Sequence, residues 1–256
     1  MRLDLEAILA AADARNVDPA LARRLIGLVD LTSLAGDETE AAITALAEDA
    51  VRHGVAALCI LPAALPVARP VLAGSPVRLA TVANFPHGGD DLVGVADEVA
   101  AAVAAGADEV DVVAPLEAAL DGDVGLAGEL VELCRAAAGP TTTLKLILET
   151  GRLERPELIT AMGRSAVMAG IDFLKTSTGK IAVGATPQAV ALLLAVAEEA
   201  GGRVGVNVSG GVRTARDAMR YWHLAETAMG ADWLEPRHFR LGASRLLADL
   251  AGRAVS

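Results

Sequence analysis

The stretch Asp172-Phe-Leu-Lys-Thr-Ser-Thr-Gly-Lys180 decides how the rest of the chain reads. Phe173 and Leu174 enter as a buried strand, and the hydroxyl and glycine residues from Thr176 to Gly179 end it. Lys175 therefore falls at the C-terminal end of a strand, where barrel enzymes carry their chemistry. Burial of a lysine in an apolar strand is expected to lower its pKa. A free amine is what attack on a carbonyl and Schiff-base formation require. The competing reading is a packed stem whose charged head reaches water. Composition favours chemistry. Of 22 basic residues only three are lysine, namely Lys145, Lys175 and Lys180, and all three lie in or just after strand-like segments. Arginine cannot lose its proton and cannot form a Schiff base, so a chain this rich in arginine keeps lysine where arginine will not serve.

Outward from this segment the chain alternates strand and helix. Two short helices are expected over residues 4–28. Strands are expected at Val29–Leu34, Val55–Leu61, Val77–Phe85, Glu109–Ala114 and Thr142–Glu149, then at the Lys175 segment, at Val204–Val208 and near His238–Leu241. Helices fill the intervals, with Asp37, Asp91 and Thr214 as expected N-caps and Pro187 in a first turn, where proline is tolerated. The strands are apolar runs without clean alternation, as buried parallel strands are. Even spacing with no break in composition predicts an α/β fold, one (β/α)8 TIM barrel over residues 1–256 with short N-terminal helices. An open doubly wound sheet is the alternative, but no Gly-x-Gly-x-x-Gly follows the first strand.

Composition narrows the function classes. The chain has 256 residues, is 53% hydrophobic and carries a net charge of −11. Its basic residues are scattered, which argues against a nucleic-acid partner and leaves room only for a small, local phosphate site. Cys59 and Cys134 make no disulfide framework. His53, His87, His223 and His238 show no metal-ligand spacing, so no metal is expected. Asp4 and Glu6 interrupt any apolar leader, and no run is apolar enough to span a membrane. The expectation is a cytoplasmic protein without a membrane partner. A homodimer is left open.

Strand ends supply the candidate residues: Asp30, Cys59, Asn84, Asp111, Lys145, Glu149, Lys175, Asn207 and Ser209. Asp111, inside Glu-Val-Asp-Val-Val, needs a partner if buried, and lysines on neighbouring strands are the obvious ones. Such a carboxylate either relays protons or forms a structural ion pair. Gly179-Lys180, Gly210-Gly211-Val-Arg213 and Gly242-Ala-Ser244 follow the sixth, seventh and eighth strands. Glycines let backbone N–H groups approach an anion, and helix N-termini add a favourable dipole.

With those residues in view, the chain resembles the deoxyribose-phosphate aldolases, class I aldolases on a TIM barrel. The likeness runs from about Asp30 to Leu250. It is carried by Asp30-Leu-Thr-Ser-Leu34, Ala80-Thr-Val-Ala-Asn-Phe-Pro-His-Gly88, Ala107-Asp-Glu-Val-Asp-Val-Val113, Leu144-Lys145, Glu149-Thr-Gly151, Asp172 to Lys180, Gly210-Gly-Val-Arg-Thr214 and Arg237-His-Phe-Arg-Leu-Gly-Ala-Ser244. The resemblance implies that Lys175 forms the Schiff base, with Asp111 in the proton relay and Lys145 beside it. It implies that Gly179, Lys180, Gly210, Gly211, Arg213, Gly242 and Ser244 hold the phosphate of a small phosphorylated sugar. The implied reaction is reversible cleavage of 2-deoxyribose 5-phosphate to acetaldehyde and glyceraldehyde 3-phosphate, with no metal and no organic cofactor.

The chain also departs from that pattern. Where the family has a second active-site lysine in the seventh strand, this chain has Asn207. The aromatic pair and arginine common after the aspartate strand are replaced by Ala114-Pro-Leu-Glu117. Two functional readings follow: an active aldolase, or a weakly active paralogue that takes another aldehyde or serves as a phosphosugar-binding protein.

Overall fold

Eight parallel strands close on one another in chain order in a computed structural model that describes residues 4–254. They are β1 (Val29–Ser33), β2 (Ala57–Ile60), β3 (Arg78–Ala83), β4 (Glu109–Val113), β5 (Thr143–Ile147), β6 (Phe173–Lys175), β7 (Gly205–Ser209) and β8 (Phe239–Ala243). The helices α1 (Leu5–Ala14) and α2 (Pro19–Ile26) precede the barrel. Around it run α3 (Glu40–His53), α4 (Leu65–Leu72), α5 (Leu92–Ala104), α6 (Leu116–Leu120), α7 (Gly125–Ala138), α8 (Pro156–Met168), α9 (Pro187–Glu199), α10 (Ala215–Met229) and α11 (Leu246–Ala254). This is the (β/α)8 barrel expected.

Local chemistry explains most boundaries, and three depart from expectation. The cap of α3 is Thr39, whose hydroxyl accepts from the N–H of Ala42, and not Asp37. The acidic side chain that organises this loop is Glu38, which accepts from Ser33 Oγ and from the N–H groups of Ala35 and Gly36, and these bonds hold its pKa at about 2. A short helix, α6, occupies the turn after β4, where none was expected. The fifth strand stops at Ile147 because Glu149 takes a φ of +52°, outside the extended region. Asp91 and Thr214 cap α5 and α10 as expected, the latter in a reciprocal capping box with Asp217.

Side chains alternate across each strand, which divides the core in two. One set, including Leu58, Leu79, Val110, Leu144, Leu146, Val206 and Leu241, packs beneath the helices. The other faces the barrel axis. On the β2–β3 side it is small and apolar: Ala57, Cys59, Ala80 and Val82, with Leu34 above. On the remaining strands it carries the charged and polar residues Asp30, Glu109, Asp111, Lys145, Lys175, Asn207 and Arg240, all buried, with Val113, Ile147 and Phe173 among them. Phe173 plugs the axis near the strand starts. Gly205 on the next strand makes room for it, since a Cβ there would lie 2.3 Å from the ring.

Candidate active site

Strand register sets the charged side chains against one another. Pairing of β4 with β5 places Asp111 beside Lys145, and pairing of β6 with β7 places Lys175 beside Asn207. Lys175 Nζ donates to Asp111 Oδ2 at 2.6 Å. Lys145 Nζ lies 3.0 Å from Asp111 Oδ1, 2.8 Å from Glu109 Oε2 and 3.0 Å from Asp30 Oδ2. Only its contact with Asp30 has hydrogen-bond alignment, and Asp111 Oδ1 and Glu109 Oε2 meet the ammonium as ion-pair partners. Arg240 donates to Asp30 Oδ1 at 2.6 Å and to Glu109 Oε1 at 3.0 Å. Asn207 Nδ2 donates to Asp30 Oδ2 at 2.7 Å.

Three cations thus meet three carboxylates inside the barrel, and Asn207 sits at the edge of the set with no charge. Their fields fix the protonation of each other. Burial is the largest influence on Lys175 and pushes it down, but the charge and hydrogen bond of Asp111 together with Cys59 outweigh it, so the ammonium is held above the usual lysine value. This reverses the lowering expected from burial alone. Lys145 stands well above its usual value for the same reason, with Asp111, Asp30 and Glu109 together overcoming burial. Burial raises Asp30, yet Lys145 and Arg240 more than compensate and hold its carboxyl below the usual range.

Above this set, at the C-terminal ends of the strands, lies a cleft of about 450 Å³. Lys175 is part of its lining, whereas Asp111, Lys145 and Asn207 lie beneath it. The turns after β6 and β7 and the end of β8 form its wall and bring Gly179, Lys180, Gly210, Gly211, Arg213, Gly242 and Ser244 to one place, Gly242 lying inside β8 and not after it as expected. Among the described residues, no carboxylate lines it. A third cation of the mouth, Arg245, was missed in the sequence reading, although it directly follows Ser244.

Some candidate residues take other parts. Lys180 Nζ donates to the carbonyl of Leu34 at 2.7 Å, tying the turn after β6 to the loop after β1. The N–H groups of Arg213 and Thr214 already donate to Asp217. Gly210, at φ +85°, packs on Gly184 so closely that a Cβ would lie 2.8 Å from its Cα, whereas Gly211, at φ +90°, faces open space. Ser209 joins the ends of β6 and β7 by donating to the carbonyl of Ser177 and accepting from its N–H. Glu149 accepts from the hydroxyl and N–H of Thr178, and burial raises its pKa. Asn84 closes its own loop through Gly89 and Val113. Cys59 is buried, and burial, then the charge of Asp111, pushes its thiol up to about 12. Glu109 and Arg240 are the interior charges that sequence reasoning passed over. Each stands two residues from an axis-facing position, Asp111 and Gly242, and that period-2 spacing was the available signal. Among the described residues, no group of three or more His, Cys, Asp or Glu is disposed to hold a metal ion. No helix among them is long and apolar enough to cross a membrane.

The model of the DeoC/LacD family of aldolases matches residues 24–250. Solved structures share the fold. A proposed deoxyribose-phosphate aldolase from Toxoplasma gondii ME49 aligns with a TM-score of 0.83 at 23% identity, covering 93% of this chain and 95% of that one. A second, from Coccidioides immitis, aligns with a TM-score of 0.81 at 26% identity over 97% and 96%. The tetrameric deoxyribose phosphate aldolase of Aeropyrum pernix aligns with a TM-score of 0.76 at 26% identity over 96% and 97%. At 23% identity the first of these speaks for the fold alone.

Proposed function

The chain belongs to the DeoC/LacD aldolase family, and on that premise we propose that it is a class I aldolase cleaving 2-deoxyribose 5-phosphate to acetaldehyde and glyceraldehyde 3-phosphate. The observation that carries this reading is the Lys175 amine, hydrogen-bonded to Asp111 on the floor of a cleft whose mouth is cationic, with no acid among the described residues that line it.

The neutral Lys175 amine adds to the aldehyde carbon of the open-chain sugar. Loss of water from the carbinolamine leaves an iminium, which draws electrons from the adjacent carbon–carbon bond. Removal of the proton from the C3 hydroxyl then breaks the C2–C3 bond. Glyceraldehyde 3-phosphate departs, and the enamine stays on Lys175. Protonation of the enamine carbon and hydrolysis of the iminium release acetaldehyde and restore the amine. Asp111, at 2.6 Å from Lys175 Nζ, serves as the nearby proton acceptor and donor, with Lys145 Nζ 3.0 Å from its other oxygen. Arg213, with the glycine turns and Ser244, meets the phosphate at the mouth. The site acts on a small phosphorylated sugar and needs neither metal nor organic cofactor.

The test is chemical trapping. Borohydride with acetaldehyde should leave a reduced two-carbon adduct, mapped by mass spectrometry to Lys175. An adduct on Lys145 or Lys180, or none, refutes the assignment. One observation favours the second reading, a weakly active paralogue or phosphosugar-binding protein: Asn207 adds no charge, and Lys175 holds its proton above the usual lysine value. A progress curve for cleavage of 2-deoxyribose 5-phosphate separates the two.

A further inference from the structure

We infer that Glu109 is a positioning residue for the Lys175 amine: its charge, acting through Lys145 and Asp111, governs how tightly Lys175 holds its proton. The inference rests on the reading of Lys175 as nucleophile. Glu109 bridges two cations, with Oε1 accepting from Arg240 at 3.0 Å and Oε2 lying 2.8 Å from Lys145 Nζ. Lys145 in turn meets the Asp111 oxygen that Lys175 does not use. Glu109 is thus joined to Lys175 by a continuous line of ionised contacts, although it does not line the substrate cleft.

The number of charges gives this line its consequence. Lys145, Lys175 and Arg240 balance Asp30, Glu109 and Asp111, and all six side chains are at most 6% exposed. A buried set with little access to water is held near neutrality. When Lys175 releases its proton, the set is left with an excess negative charge. Neutralising Glu109 removes that excess in advance, so the amine forms more readily. Other groups face the two ends of the line. Lys175 is met by Asp111, Lys145 and Cys59, with Asp30 and Glu149 also in its field. Glu109 lines a cavity of about 660 Å³ at the N-terminal pole together with Arg78, Asp172, Arg203, Arg237 and Arg240. The charge that acts on Lys175 is therefore set from a face that substrate in the cleft does not cover.

With only three lysines in the chain, acetylation of Lys175 by acetic anhydride can be followed against pH by mass spectrometry without any substrate. Glu109→Gln is expected to lower the midpoint by on the order of one pH unit, a roughly tenfold gain in free amine below it. Glu109→Asp keeps the charge and should stay near the native midpoint. Arg240→Gln removes a positive charge and should move the midpoint upward. If Glu109→Gln does not fold, the direction of the Arg240→Gln shift decides. A midpoint that stays put in the folded variants, or moves the same way in both Gln variants, overturns the inference. If the midpoints shift as expected but acetaldehyde forms no adduct on Lys175, the aldolase reading fails while the charge coupling stands.

Discussion

The interior of the barrel and the mouth of the cleft both collect cations, but they settle them in opposite ways. Inside, three cations meet three carboxylates at 2.6–3.0 Å, and every charge has its partner in the chain. At the mouth, Lys180, Arg213 and Arg245 line the cleft without an acid among the lining residues, in a protein of net charge −11. Burial accounts for the difference. An ion removed from water must be paired by the protein, whereas a cation at a wet mouth is stable alone and free to meet an anion from outside. Lys175 belongs to both regions, paired below and open above.

The comparison breaks first at Lys175. Lys175→Leu should reduce cleavage by at least about 10³-fold, because it removes the amine on the cleft floor, and Lys180 in the same lining is already tied to the carbonyl of Leu34. Loss of less than tenfold in steady-state assays would move the nucleophile elsewhere. Next comes Lys145, fully buried among three carboxylates. Lys145→Met leaves three carboxylates facing only Lys175 and Arg240, one negative charge in excess, and should destabilise the fold by about 3–5 kcal/mol in urea unfolding. A change under 1 kcal/mol would show that Arg240 alone suffices.

Asn207→Lys sharpens the interior side. Two unit charges several ångströms apart at an effective dielectric near 20 interact by roughly 2–3 kcal/mol. An added ammonium beside Asp30 should therefore raise kcat/KM at pH 7 by at least about tenfold. A folded variant with no gain would deny that charge limits the native amine. The native profile tests the same point. Because Asp111 holds Lys175 above the usual lysine value, activity should climb with pH from neutral into the alkaline range. A flat profile near pH 7 would contradict this.

Smaller effects belong to the mouth. Arg213→Ala should raise KM for a phosphorylated substrate about tenfold and leave that of its unphosphorylated analogue unchanged, as a uniform binding contact does. Arg245→Ala should show the same selectivity at a few-fold, since its guanidinium is exposed. Equal changes for both substrates would remove either residue from the phosphate site.

Two of the interior charges make stability depend on pH. Asp30 is held below its usual range, so its contribution is present above the unfolded value of about 3.9 and is lost as pH falls through the folded value. Lys145 is raised, so its contribution is present below about 10.4 and is lost as pH rises through the folded value. Urea midpoints should therefore show little dependence on these two groups between roughly pH 5 and 9.

The chain's own order of residues determined the alternation of eight apolar strands with helices. It also determined that Lys175 and Lys145, two of only three lysines, would stand in strands of that barrel. Turn chemistry made the glycines at the ends of β6, β7 and β8 legible, because each works within a few residues. Closure of the barrel decided the rest. Arg240 reaches Asp30 across 210 positions and Glu109 across 131, and no local pattern announces either contact. Lys180 was readable as a strand-end cation, but its tie to Leu34 lies 146 positions away. The protonation of Lys175 is the clearest case. Burial in its own strand favours the neutral amine, while a carboxylate 64 positions earlier, brought to 2.6 Å by the fold, favours the ammonium. Desolvation can be inferred from the neighbours along a strand. A Coulomb field depends on distance through space, and only the tertiary structure sets that distance.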